Sequence, residues 1–452
     1  MDVGAGTRAK HSKPHPADAT AAADAPAAGG KKTQPMDALI IQGGRRLAGR
    51  VPISGAKNAA LPVMAAALLA PGEHVLRNVP FLADTRTMAH VLEKLGARVD
   101  FRDHTCLIDT TNIASFEAPY DLVRTMRASI YVLGPLLARF GAARVSLPGG
   151  CAWGPRPVNL HLEGLDAMGA SLEIDHGYIV GKDVKLKGAH IRHETVSVGA
   201  TAQLMMAATL ASGTTVIEGA ALEPDVTELG NILVACGARI DGLGTRVITV
   251  YGVRSLKPID ATIIPDRIEA ATFLGAAAIT HGSVTIEQCA PEHLTATIEK
   301  LTEAGCDIHT GDREVTISGP VRPAAVNVDT QAYPGFPTDM QAQMMALCSV
   351  AEGTSVITDN IYLDRFTHVP ELARLGANIT LDHNSATIRG VERLQGAPVM
   401  ATDIRASAAL VLAALVAEGS TRISRIYHLD RGYEDLGQKL AGLGAGVQRV
   451  KE

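Results

Sequence analysis

Ala59-Ala60-Leu61-Pro62-Val63-Met64-Ala65-Ala66-Ala67-Leu68-Leu69-Ala70 is apolar around its whole circumference, and beyond Gly72 comes Val75-Leu76-Arg77-Asn78-Val79, which reads as a strand. A helix apolar on every side belongs inside a core. It is too short to span a bilayer, which needs about 20 such residues. The next helix is of another kind. Met88, Val91, Leu92 and Leu95 mark one face, Glu93 and Lys94 lie off it, and Gly96-Ala97 ends it. Two short strands around a polar turn close the unit, as in Ile379-Thr380-Leu381 and Ala386-Thr387-Ile388. The unit reads βαβαββ, with its first helix buried and its second amphipathic.

Working outward, both helix endings recur six times. The amphipathic helix ends at Gly96, Gly169, Gly237, Gly305, Gly376 and Gly444, spaced 73, 68, 68, 71 and 68 residues apart. The apolar helix is followed by Gly72, Gly141, Gly213, Gly282, Gly353 and Gly419, spaced 69, 72, 69, 71 and 66. Two independent markers with one period of about 70 define a repeat. The second set is read as left-handed C-caps. A doubly wound sheet would bury its strands and leave its helices amphipathic; here the apolar helices must lie inside and the sheets outside. The expected fold is therefore α/β, an inside-out α/β barrel of six repeats.

At 452 residues, with 46% hydrophobic and 20% charged side chains, the chain has the make-up of a globular protein of two or three domains. Aromatics are only 4%, so the cores rest on Ala, Leu, Val, Ile and Met. The net charge of −5 offers no global attraction to nucleic acid or to an anionic membrane. Six cysteines are scattered without a CxxC, so reduced thiols and a cytoplasmic location are expected. Residues 1–35 are rich in Ala, Pro and Gly, lack the apolar run of a signal peptide and read as a disordered tail.

About 14 residues upstream of each glycine of the second set stand polar or charged groups: Lys57-Asn58, Arg127, Ser197 to Thr201, Asp266 to Glu269, Asp339 and Arg405. Helix N-termini carry partial positive charge and unpaired N–H groups. Serine, threonine and aspartate there are also ordinary caps. Lys57, Arg127 and Arg405 are different, because a cation opposes the dipole. Their recurrence at equivalent positions implies a ligand carrying several negative charges.

Pro148-Gly149-Gly150-Cys151-Ala152-Trp153-Gly154-Pro155-Arg156-Pro157 reads as a mobile loop spanning 147–157, with glycine hinges. A thiol beside an arginine in an electropositive loop is acidified and can serve as a proton donor. Cys106, Cys236, Cys289, Cys306 and Cys348 read instead as small buried hydrophobes.

These residues resemble the UDP-N-acetylglucosamine 1-carboxyvinyltransferase family. The likeness runs through Ser54-Gly55-Ala56-Lys57-Asn58, Thr125-Met126-Arg127, Gly149-Gly150-Cys151, Arg156-Pro157-Val158 and Val196-Ser197-Val198-Gly199-Ala200-Thr201. It continues in Pro265-Asp266-Arg267-Ile268-Glu269, Phe336-Pro337-Thr338-Asp339, Arg365-Phe366, Asp403-Ile404-Arg405 and Asp430-Arg431-Gly432-Tyr433-Glu434. The resemblance implies transfer of an enolpyruvyl group from phosphoenolpyruvate to the sugar 3′-hydroxyl, the first committed step of peptidoglycan synthesis. It implies two domains of three repeats, 57–248 and 36–56 with 249–452. Cys151 is then the proton donor to phosphoenolpyruvate and the group labelled by the epoxide fosfomycin, and Asp339 the base. Lys57, Arg156 and Arg431 hold the phosphate, Arg365 and Arg405 the carboxylate, with Asn58 nearby; Lys57 and Arg431 also count as catalytic. Asn58, Arg127, Arg156, Pro157, Val158, Asn159, Leu160, Ser197, Val198, Asp339 and Ile361 line the nucleotide-sugar site. No metal or cofactor is implied. The partners expected are the two small molecules, with no nucleic acid, no membrane and a monomeric chain.

The chain departs from the family pattern at Thr195, where lysine is common, at Asn159, where aspartate is usual, and at Trp153 and Pro155 in the loop. Two other readings stay open. The sister enzyme that acts on shikimate 3-phosphate shares fold and cations without needing the Gly-Gly-Cys loop. A non-catalytic nucleotide-sugar binder would tolerate loss of Cys151 or Asp339.

Overall fold

The computed structural model describes residues 37–124, 126–147 and 158–451. The tail expected to be disordered, and the loop carrying Cys151, Arg156 and Pro157, lie outside the described residues.

The described residues form six four-stranded sheets of one design: an edge strand runs parallel to its neighbour, and two antiparallel pairings follow. Glu117–Ala118, Ala143–Ser146, Tyr178–Gly181 and Glu173–Asp175 make one such sheet, in register at Val145↔Ile179. Each sheet turns one face inward; Ser355 and Ile357 of Thr354–Thr358 are buried while Thr354 and Val356 face solvent. Beneath lie the apolar helices. Every residue of Lys57–Ala66 except Asn58 is buried, as is every residue of Arg267–Ile279 except Arg267 and all of Gln341–Cys348. The fold is thus the α/β barrel turned inside out that the repeat implies.

Two strands are exchanged between repeats. Ala48–Pro52 pairs in parallel with Ser283–Glu287, and Asp260–Thr262 with Glu73–Arg77. The sixth sheet, Pro398–Met400 with Ser420–Ser424 and Gly446–Lys451, is completed by the first strand, Asp37–Gln42. That strand lies in the middle of the sheet, between Ser420–Ser424 and Gly446–Lys451, and ties the start of the described chain to its end. Two hydrophobic cores result. One gathers residues between Leu39 and Ile53 with those from Ile268 to Ala445, the other those from Ala56 to Ile263.

Local detail refines the sequence reading. All six glycines ending the amphipathic helices have φ between 84° and 108°. Of the other set, Gly141 alone caps a helix directly, its N–H bonding Leu137 O. Gly72, Gly213, Gly353 and Gly419 instead turn the chain into the next strand, and His281 rather than Gly282 takes the left-handed conformation. Arg127 opens one 3₁₀ turn, Arg127–Val132, and Asp339 is the middle residue of another, Thr338–Met340, each ahead of its α-helix. Pro135, which has no N–H to bond Tyr131, lies just inside the α-helix that follows the first. The strand expected at 75–79 is Glu73–Arg77, because Asn78 at φ 56° leaves it.

Candidate active site

The openings of Lys57–Ala66, Arg267–Ile279 and Ile404–Val416, and the turn ahead of Gln341–Cys348, meet in one place. Lys57 opens Lys57–Ala66, and its backbone N–H donates to Asp266 Oδ2 at 3.3 Å, at the cap of Arg267–Ile279. Arg405, the second residue of Ile404–Val416, donates to Asp339 Oδ2 at 2.9 Å just ahead of Gln341–Cys348. Asp266 and Asp403 are also ordinary caps, accepting from the N–H groups of Ile268 and Glu269 and of Arg405 and Ala406. Ser197 likewise caps Val198–Ala208, accepting from Ala200 at 3.2 Å.

Among the described residues, the cations expected to hold phosphoenolpyruvate fall into two pairs, each around a single carboxylate. Asp339 holds Arg365 at 2.8 Å and Arg405 at 2.9 Å, and both guanidiniums are almost wholly buried. Asp84 holds Arg431 at 2.8 Å and lies 3.6 Å from the Lys57 ammonium. Lys57 also feels Arg405, Arg431 and Asp339, so the two pairs adjoin. Supporting bonds fix the arginines. Arg405 donates to Tyr433 Oη at 3.3 Å, whose hydroxyl meets Thr272 and Gln343. Arg365 donates to Thr338 Oγ1, which in turn donates to Asp359 at 2.6 Å. Paired charges of this kind are what burial demands.

Electrostatics follow from that packing. Burial alone would raise the Asp339 carboxyl, but Arg405 and Arg365, through attraction and hydrogen bonds, hold it well below the usual carboxylate range. Burial lowers the Lys57 ammonium, aided by Arg405 and Arg431 and opposed by Asp84 and Asp339. A second buried network ties the crossing segment at Ser54. Ser54 N–H and Lys439 donate to Glu269 at 2.9 and 2.6 Å, and Glu434 accepts from Ser54 Oγ and from Phe81 N–H, both at 2.7 Å. Burial pushes Glu269 up to about 7 against the pull of Lys439.

The nucleotide-sugar candidates form a second neighbourhood. Arg127 and Tyr362, the neighbour of Ile361, both act on the half-buried Tyr131. His161, two residues past Asn159, lies against Gly199, next to Val198. Val158, Leu160, Ser197, Val198 and Asn58 are half-buried, Ile361 is exposed, and Asn159 is exposed and donates to Glu163 at 3.2 Å. Thr195 is exposed.

Asp84 is the residue that sequence reasoning misses. An acid in the first turn of Ala83–Leu95 is so ordinary a feature that only its burial marks it out. Tyr433, Thr338 and Glu434 stand inside motifs quoted above, yet nothing in the sequence assigns them partners. The five described cysteines are free and buried, as expected.

A sixfold inside-out barrel with this cation cluster places the chain among the enolpyruvyl transferases, as its similarity to known proteins shows. The model of one such family, EPSP synthase (3-phosphoshikimate 1-carboxyvinyltransferase), matches residues 41–440. Within that class the chain belongs to the UDP-N-acetylglucosamine 1-carboxyvinyltransferase family. It is 58% identical over 417 residues to the Geobacter metallireducens member and 54% identical over 419 to that of Myxococcus xanthus, in each case over 92% of this chain and all of the relative. Among solved structures, the enolpyruvyl transferase NikO from Streptomyces tendae is similar at a TM-score of 0.85 and 27% identity, over 93% of this chain and all of that one. EPSP synthase from Acinetobacter baumannii, at TM-score 0.72 and 17% identity over 92% of this chain and all of that one, is alike in fold.

Proposed function

We propose that the chain is a transferase that moves the enolpyruvyl group of phosphoenolpyruvate onto the 3′-hydroxyl of UDP-N-acetylglucosamine and releases phosphate. The sorting of four cations into two adjoining pairs carries this reading. A small donor with one phosphate and one carboxylate needs two such pairs, and a protein carboxylate gathers each of them.

In the proposed reaction Lys57 and Arg431, with Arg156, take the phosphate, while Arg365 and Arg405 take the carboxylate. Asp339 is thereby released from its two guanidiniums and recovers the basicity they suppress. It accepts the proton of the sugar hydroxyl as the oxygen bonds to C2 of the donor, and Cys151 gives its proton to C3. The adduct then loses phosphate from C2 and a proton from C3, leaving the enol ether. Buried cations and helix ends stabilise the charge that develops. Asn58, Arg127, Pro157, Val158, Asn159, Leu160, Ser197, Val198 and Ile361 are proposed to hold the nucleotide sugar.

Two domains are proposed on the two cores, one with residues 36–56 and the C-terminal repeats, the other beginning at 57. Residues 249–263, expected with the C-terminal repeats, are proposed instead for the other domain; the packing of Val250, Leu256, Ile259 and Ile263 in the core that begins at Ala56 supports this. A monomer in the cytoplasm, acting in peptidoglycan synthesis, completes the proposal. Among the described residues no helix is long and apolar enough to cross a membrane.

The test is phosphate release from phosphoenolpyruvate with each acceptor offered separately. Turnover with UDP-N-acetylglucosamine is expected; turnover with shikimate 3-phosphate alone would assign the sister reaction. Fosfomycin is expected to label the protein and to spare a Cys151→Ser variant. Persistent labelling would place the nucleophile elsewhere.

A further inference from the structure

We propose that Asp84 is a positioning residue, the buried counter-ion that keeps Lys57 charged and sets it beside Arg431 as one phosphate-binding pair. The inference rests on the reading of Lys57 and Arg431 as the phosphate holders.

Asp84 belongs to Ala83–Leu95, packed in the core that begins at Ala56, whereas Arg431 ends Ile426–Arg431 in the other core. Its two oxygens reach Arg431 Nε at 2.8 Å and Nη2 at 3.5 Å, and Oδ2 also lies 3.6 Å from Lys57 Nζ. An acid serving only its own helix dipole would remain solvated; Asp84 is 4% exposed. Lys57 needs it. Its ammonium is buried at the positive end of its own helix, with Arg405 and Arg431 as like-charged neighbours. The opposing acids are Asp84, Asp339, and Asp266, which accepts from the Lys57 backbone. Asp339 is already shared by two guanidiniums, and Asp266 caps the next helix. Asp84 is therefore the acid left to balance Lys57. A carboxylate within about 4 Å typically moves a cation's titration by 1–3 pH units.

Inorganic phosphate binding, followed by calorimetry from pH 6 to 10, reports on this pair without any turnover. In Asp84→Asn the alkaline fall in phosphate affinity is expected to begin at least one pH unit lower than in the unmodified chain, a shift of about tenfold in proton concentration. The alkaline limb of kcat/KM for phosphoenolpyruvate should move with it. Asp84→Glu should restore much of the limb. In a Lys57→Arg background, where the cation does not titrate, Asp84→Asn should shift nothing. A purely structural role would lower Tm and leave the limb in place, and an unmoved limb in the folded variant overturns the proposal. If Asp84→Asn does not fold, a crystal structure of the unmodified chain with phosphate decides: phosphate away from Lys57 and Arg431 refutes it. Phosphate binding with the expected shift but no product from phosphoenolpyruvate would instead refute the reaction while sparing the role of Asp84.

Discussion

Half-buried Asp339 and buried Glu269 are acids pushed in opposite directions, and each carries its own pH signature. Asp339 is depressed by Arg405 and Arg365, so it contributes stability above the ordinary carboxylate range and loses it as pH falls through its own lower value. Asp339→Asn should therefore destabilise the ligand-free protein at pH 7 by about 3 kcal/mol, the lower end for breaking a buried pair. The deficit should narrow on acidification in a denaturant series. The same variant is expected to bind UDP-N-acetylglucosamine and release no phosphate; full activity would remove Asp339 from the reaction. Glu269 is raised by burial from an ordinary 4.5 to about 7. The folded state then holds its proton more tightly than the unfolded state, so stability falls between those values as pH rises. Across that window the Tm of the unmodified chain should drop relative to Glu269→Gln, by the equivalent of about 3 kcal/mol in all. Parallel Tm curves would mean that Glu269 titrates normally.

At the scale of elements, the repeat works because glycine supplies a conformation that other residues strain to adopt. Gly376 has φ 93° with nothing within 4 Å of where a Cβ would stand, so Gly376→Ala isolates backbone strain. A loss of about 1–2 kcal/mol is expected. Phe273 lies fully buried in Arg267–Ile279, and Phe273→Ala should cost about 3–5 kcal/mol through lost contacts and the cavity left behind. Denaturant midpoints for both variants, at unchanged slope, check these values. The existence of these elements was legible because apolar and amphipathic periodicities differ so plainly between Ala59–Ala70 and Met88–Leu95. The 3₁₀ openings at Arg127 and Thr338 were not, since an apolar pattern does not distinguish a short 3₁₀ turn from the first turn of an α-helix.

For the whole molecule, the exchanged strands matter most. Ala48–Pro52 and Asp260–Thr262 each complete a sheet whose other strands lie elsewhere in the chain, and both crossings run close to the cation cluster through Ser54 and Asp266. Two cores joined in this way invite ligand-driven closure. UDP-N-acetylglucosamine is expected to reduce the radius of gyration in solution scattering and to protect the chain from protease. An unchanged scattering curve at saturating ligand would exclude closure.

From its sequence alone this protein is committed to six units with apolar helices within and sheets without. A helix with no polar side has nowhere else to go, and the glycines punctuating it keep a single period. Cations at those helix starts, against a net negative charge, likewise disclose a polyanion site before any coordinates are known. Which acid faces which cation is beyond that reading. Asp84 and Arg431 are 347 residues apart, and no local pattern couples them. Only the packing of two cores against one another, with two strands traded between repeats, brings those charges to within 3 to 4 Å and decides their protonation.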